Sequence, residues 1–185
     1  FISLCHGSLV ADKKFMVEIL DSVYTTLQQN PAAHLKGPRI LLTGSTLAQG
    51  DYRVVNLIEN CGGMVVMEEF DEGIRPYRQN VSLNGDLMES LAQTYFNARV
   101  SPAWFRPAGE RREFLMKLCR DFNVDGVIWY HLMYRDAHKT ESYIFQKQLK
   151  KTMDLPMLVL ESDYDPSEIG PMQTRVETFI QTIGG

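Results

Sequence analysis

Asp125-Gly-Val-Ile-Trp-Tyr-His-Leu-Met-Tyr-Arg-Asp136 is the stretch that decides the fold. Its first half is a continuous apolar run and its second half turns polar and aromatic, the profile of a strand buried on both faces that runs out into a loop. In open α/β sheets the carboxyl end of such a strand is where ligands bind. Two junctions of the same kind flank it, Arg39-Ile-Leu-Leu-Thr-Gly-Ser-Thr46 upstream and Met157-Leu-Val-Leu-Glu-Ser-Asp-Tyr164 downstream. Three strand ends with polar tips predict one composite site.

Working outward, Phe15, Met16, Ile19, Leu20, Val23 and Leu27 recur at the three-and-four spacing of an amphipathic helix over 12–29, which Asn30-Pro31 ends. Arg39 to Thr43 is the first strand, and Val54, Val55, Leu57 and Ile58 mark a helix over 51–60. Cys61-Gly62-Gly63 closes that helix, because glycine takes a left-handed conformation without steric cost. Met64 to Met67 is the second strand, followed by the polar tip Glu68-Glu69-Phe70-Asp71-Glu72-Gly73-Ile74-Arg75. The pattern then predicts a helix over 83–96 and an irregular excursion over 99–107 containing Trp104. A helix over 110–122 leads to the third strand, 124–130. A helix over 140–153, a strand over 157–161 and a helix over 166–183 complete the chain. Strands and helices alternate, and the strands are continuously apolar, so the expected fold is α/β: a doubly wound, flavodoxin-like parallel sheet of four strands flanked by helices. Residues 1–36 read as a helical lead-in and 37–185 as the α/β domain.

The 185 residues carry a formal charge of −4, with acids and bases interleaved, which excludes the electrostatic footprint of a nucleic-acid binder. No apolar run reaches the length of a membrane span, and a soluble, cytoplasmic protein is expected. Cys5, Cys61 and Cys119 are an odd number without any C-x-x-C, which argues against a disulfide framework and against a self-contained metal motif. Gly44-Ser-Thr-Leu-Ala-Gln-Gly50 matches neither G-x-G-x-x-G nor the P-loop, so dinucleotide and ATP binding of those types is unsupported. The chain opens on Phe1, as a piece of a larger protein would.

Several side chains carry two readings. Ser45 and Thr46 follow a strand and precede a helix, where backbone amides can hold a phosphate or carboxylate, or else form a loop and cap. Glu68, Glu69, Asp71 and Glu72 include a candidate general base, or are a solvated loop. Arg75 and Arg135 suit a phosphate or carboxylate through a planar fork, or pair with nearby acids. His131, directly beyond a buried strand, is either a group titrating near neutrality or a structural histidine. Glu141 lies near a helix start, where the dipole favours it in any case. Glu161, Asp163 and Tyr164 close the fourth strand and face the same crevice, while Cys61 and Cys119 read as small buried apolar residues.

Gly37-Pro-Arg-Ile-Leu-Leu-Thr-Gly44, Leu57-Ile-Glu-Asn-Cys-Gly-Gly-Met-Val-Val66, Gly73-Ile-Arg75, Val124-Asp-Gly-Val-Ile128, Asp136 with Glu141, Leu155-Pro-Met-Leu-Val-Leu-Glu-Ser-Asp-Tyr164 and Thr174-Arg-Val-Glu-Thr-Phe179 occur in one order along the chain. Together they resemble the D-component family of 2-hydroxyacyl-CoA dehydratases, which includes benzoyl-CoA reductase subunits. The resemblance implies the C-terminal domain of a subunit that removes water from a (R)-2-hydroxyacyl-CoA by a radical route at a 4Fe-4S cluster. It also implies an acyl-CoA substrate, a second dehydratase subunit and an ATP-dependent activator protein. Together with the readings of the strand ends above, it leaves Ser45, His131 and Glu141 as the catalytic candidates, and Ser45, Thr46, Arg75, Tyr134 and Arg135 as the substrate-binding ones.

Members of that family present a cysteine in an aromatic-Cys-Asp sequence just after the third strand, where this chain reads Tyr134-Arg135-Asp136. Many also have cysteine at the positions of Ser45 or Asp71. A guanidinium is cationic, offers no lone pair and stays protonated in a protein, so Arg135 cannot replace a thiolate on cluster iron. No cluster ligand is expected within this chain. Two alternatives to the enzyme reading follow: a non-catalytic, cluster-less homologue acting as a partner or acyl-CoA-binding subunit, and a flavodoxin-like domain binding a phosphorylated ligand at 44–46.

Overall fold

Continuous apolar strands flanked by amphipathic helices can bury their surface in only one way, with the sheet between two helical layers. The computed structural model of the chain describes residues 2–30, 36–48, 50–70, 73–98 and 109–185. Its strands are β1 (Arg39–Gly44), β2 (Met64–Glu69), β3 (Gly126–Leu132) and β4 (Met157–Ser162). The helices are α1 (Ile2–Val10), α2 (Lys13–Gln29), α3 (Arg53–Asn60), α4 (Leu87–Ala92), α5 (Gly109–Asp121), α6 (Asp136–Met153) and α7 (Ile169–Ile183). All strand pairings are parallel and the order is β2-β1-β3-β4, the doubly wound arrangement the alternation predicts. The chain steps from β1 to β2 on one side and then back to β3 on the other, which puts the topological switch point between β1 and β3.

Alternation along each strand sends side chains to opposite faces. Ile40, Leu42, Ile128, Tyr130 and Leu160 pack with Leu57 and Ile58 of α3 and with Val176 and Ile180 of α7. Leu41, Val127 and Trp129 face the other way, against Leu115 and Cys119 of α5 and Phe145 and Leu149 of α6. Gly44 ends β1 at φ +134°, and any side chain there would overlap the Tyr130 backbone of β3. Glycine is what lets the two strands meet at their tips.

Among the described residues the sheet has two edges that pair with no further strand, and they are treated differently. On β4 the outward carbonyls of Met157 and Val159 accept from Gln146 Nε2 at 3.0 Å and from Arg175 Nη2 at 2.6 Å. Along β2 the pairing with β1 shifts register between Ile40 and Leu41, whose partners are Val65 and Met67, so Val66 is passed over as a bulge.

Four elements differ from the sequence-based expectation. β2 runs on through Glu68 and Glu69, β3 through His131 and Leu132, and α6 begins at Asp136 rather than near 140. The helix expected over 83–96 is α-helical only from Leu87 to Ala92 and continues as a π-turn over Gln93–Asn97, with no residue of either buried. The apolar repeat there marks a surface, not a core contact. Helix α2 starts where expected, with the Asp12 carboxylate accepting from Lys14 N and Phe15 N at 3.0 and 3.1 Å, yet only Met16 of its apolar stripe is buried. The excursion expected over 99–107 lies outside the described residues. No described helix is long and apolar enough to cross a membrane.

Candidate functional site

The carboxyl ends of β1, β3 and β4 lie side by side and are tied to one another. Ser45 N donates to Tyr130 O at 2.8 Å, Leu132 N to Ser45 Oγ at 3.3 Å, and Met133 N to Ser162 O at 2.9 Å. Ser45 is buried with its amide engaged, whereas Thr46 next to it is exposed. His131 sits within β3 opposite Glu161 and is almost wholly buried. Its Nδ1 is 3.2 Å from the Leu132 carbonyl, an acceptor that places the proton on Nδ1.

Behind these tips lies a buried ionic cluster. The Glu69 carboxylate accepts from Arg75 Nε at 2.6 Å, from Arg111 Nη2 at 3.1 Å and from Thr43 Oγ1 at 2.8 Å. Arg111 also reaches Glu141 through Nη1 at 2.5 Å and the Gly44 carbonyl through Nη2 at 3.1 Å, and its guanidinium lies over the Trp129 ring at 5.3 Å. Two acids and two bases, all buried, thus clamp the ends of β1 and β2 to α5 and α6. Burial alone would raise the Glu69 pKa, but the Arg111 and Arg75 charges outweigh it and hold the carboxyl below its usual range. For Glu141 burial wins over Arg111 and the value is raised. Arg111 Nε, Glu141 Oε1 and Trp129 Nε1 are buried without a partner among the described residues, so those residues alone do not fully satisfy the cluster.

Glu68 points to the other face of β2. Its carboxylate accepts from Phe70 N at 3.1 Å and Ile74 N at 2.8 Å, in a space that exists because Gly73 has no side chain. Burial pushes it up to about 7, against the pull of those two amides. It lines a cleft of about 360 Å³ with Ser3, Tyr52, Asn56 and Glu59. The expected solvated acidic loop is therefore corrected for Glu68 and Glu69, which end a strand and are buried. Asp71 and Glu72 lie outside the described residues.

At the rim, Tyr134 and Arg135 connect β3 to α6. Both are exposed, and Arg135 takes the N-cap position of α6 without a capping bond from its side chain. Tyr164 stands beyond β4 with the Arg53 guanidinium 5.2 Å from its ring centre; Arg53 in turn is held by Asp51 through Nε at 2.8 Å and Nη2 at 3.0 Å. Lys139 pairs with Glu161 at 3.4 Å, and Asp163 accepts from Asp165 N at 2.9 Å.

The structure thus brings Ser45, Glu141, Arg75 and His131 close to the strand ends as buried groups, and leaves Thr46, Tyr134 and Arg135 at the surface. Sequence reasoning missed Arg111. Its signal was a cation on the apolar stripe of α5, four and seven residues before the buried Leu115 and Leu118.

The cysteines do not converge. Cys5 is buried in α1, Cys61 caps α3, and Cys119 is packed with Leu115 and Phe145 on the opposite side of the sheet. Burial pushes the Cys5 thiol up to about 11 and the Cys119 thiol to about 12, the reverse of what a metal thiolate needs. Among the described residues no group of three or more His, Cys, Asp or Glu is placed to hold a metal ion. With a guanidinium at position 135, the described donors do not fit a four-iron cluster.

Comparison with known proteins agrees with the strand-end motifs. The family described as 2-hydroxyglutaryl-CoA dehydratase, D-component, matches residues 1–183. Among curated proteins the chain is similar to one named "Putative dehydratase subunit YjiM" from Escherichia coli (strain K12). The two are 28% identical over 175 residues, covering 93% of this chain and 45% of that relative. The chain spans less than half the length of the curated relative it matches.

Proposed function

The chain belongs to the 2-hydroxyglutaryl-CoA dehydratase D-component family, and from that premise we propose that it is the acyl-CoA-holding, cluster-less α/β part of a dehydratase-type subunit. It presents the strand tips of β1, β3 and β4 to a 2-hydroxyacyl-CoA and works beside a second subunit. Thiolates for a 4Fe-4S cluster come from the second subunit, and an ATP-dependent activator serves the assembly and not this chain. The reaction of the assembly is the loss of water from a (R)-2-hydroxyacyl-CoA.

One observation carries this reading over the cluster-bearing one: Arg135, exposed at the end of β3, stands where the family resemblance places a cysteine. A cation there suits the phosphates and carboxylates of a CoA ester and is unsuited to iron. The flavodoxin-like alternative, with a phosphate on the 44–46 loop, has less support because the Ser45 amide is already given to Tyr130 O.

The test is anaerobic purification of the full-length protein, reconstitution with iron and sulfide, and calorimetric titration with a 2-hydroxyacyl-CoA. The expected outcome is a colourless protein that binds the thioester. A brown protein carrying about four irons per chain would restore the cluster-bearing reading. A yellow protein with a flavin spectrum, or one indifferent to CoA esters, would end the acyl-CoA reading.

A further inference from the structure

Tyr134 is the residue of the rim that the fold does not explain. It has φ +64° and is 92% exposed. A bulky side chain at positive φ is an outlier, and a turn needing only that backbone would be served by Gly or Asn. Burial does not offset the strain, since the ring touches little of its own chain. Such outliers concentrate at ligand contacts.

The neighbouring tip repeats the device. Leu132 of β3 pairs with Ser162 of β4, so Tyr134 and Tyr164 stand the same two residues beyond a paired position, and Tyr164 also has positive φ, +73°. The ring of Tyr164 is braced by Arg53, whose charge Asp51 already neutralises. Arg135, beside Tyr134, makes no side-chain bond among the described residues and is the uncommitted cation of this rim. An exposed aromatic face next to a free planar cation is complementary to an aromatic anion, with the ring stacking and the fork taking phosphate oxygens in pairs.

We propose that Tyr134 and Arg135 form the nucleotide subsite of the thioester pocket, with Tyr134 stacked on the adenine, Arg135 paired with the phosphates, and the braced Tyr164 as the second aromatic surface. This rests on the acyl-CoA reading above and adds to it the orientation of the ligand: nucleotide at the β3–β4 rim, acyl end toward the switch point between β1 and β3.

The experiment is calorimetric titration of the full chain with three probes: an acyl-CoA, adenosine 3′,5′-bisphosphate, and the matching acyl-pantetheine, which lacks the nucleotide. Tyr134→Ala and Arg135→Gln should each weaken the first two by about tenfold, the scale of one lost base–aromatic stack, and leave acyl-pantetheine affinity and the urea midpoint unchanged. Tyr134→Phe, which keeps the ring, should bind as the unaltered protein does. If acyl-CoA binds and neither substitution weakens it, the nucleotide lies elsewhere and only this assignment falls. If acyl-CoA and acyl-pantetheine bind the unaltered protein equally, there is no nucleotide contact and the assignment falls again. If neither thioester binds, the acyl-CoA reading itself fails and takes this one with it.

Discussion

Arg111 holds two buried carboxylates, a carbonyl and an indole face at once, so it cannot be lost quietly. Arg111→Ala would leave Glu69 and Glu141 buried with Arg75 as the remaining buried base of the cluster, and breaking a buried ion pair by removing one partner costs about 3–5 kcal/mol. Urea unfolding should show that loss, with the far-ultraviolet spectrum of the surviving folded fraction unchanged. Glu68 makes a prediction of the opposite kind. Its folded value of about 7 lies above the unfolded value of about 4.3. Between those values the folded chain keeps a proton that the unfolded chain has released, so Glu68's contribution to stability is complete below the lower value. It is lost as pH rises through the higher one, on the order of 4 kcal/mol in all. Glu68→Gln should flatten that part of the curve: unfolding free energies measured at pH 5 and 8 should differ less in the variant than in the parent. Arg111 was not legible in the sequence as a functional or buried group, and Glu68 was legible only as one of four acids that include a candidate general base, not as a buried one. Glu68 and Glu69 sit in an acidic run that reads as solvated, and what buries Glu69 is Arg111, distant in the chain and visible only once α5 is packed.

At the level of elements, β1 and β3 were readable because both of their faces are buried, and a continuous apolar run signals that condition directly. The carboxyl end of β2 was not, because a strand end neutralised by guanidiniums from other elements has the composition of a loop. The helix over 83–96 was overextended for a related reason: apolar periodicity reports an amphipathic surface whether or not a partner covers it, and Leu87, Met88 and Phe96 are all exposed. The junction of β1 with β3 depends on a single glycine. Gly44→Ala places a methyl group on the Tyr130 backbone at a φ that side chains avoid, and should cost about 3 kcal/mol, read from the urea midpoint. Because Ser45 N–Tyr130 O is the bond next in line, amide exchange at Ser45 should accelerate in the same variant.

For the whole molecule, alternation of strand and helix together with strand apolarity determined the doubly wound class, since right-handed crossovers leave few other arrangements. What the sequence could not show was which tips would be sealed by their own hydrogen bonds and which side chains would be left facing outward, because both depend on register between strands far apart in the chain. The same register bears on the two outer edges of the four described strands. An open flank of parallel backbone is a template onto which another chain can add, and here Gln146 and Arg175 occupy that template at β4 while a slipped residue distorts it at β2. Gln146→Ala combined with Arg175→Ala removes two hydrogen bonds from the surface and no apolar contact from the interior, so the chain's unfolding free energy should fall only modestly. Light scattering and thioflavin fluorescence in concentrated, warmed samples should nevertheless rise well ahead of the parent's. Solubility in this fold would then be a property of two polar side chains that contribute little to folding itself.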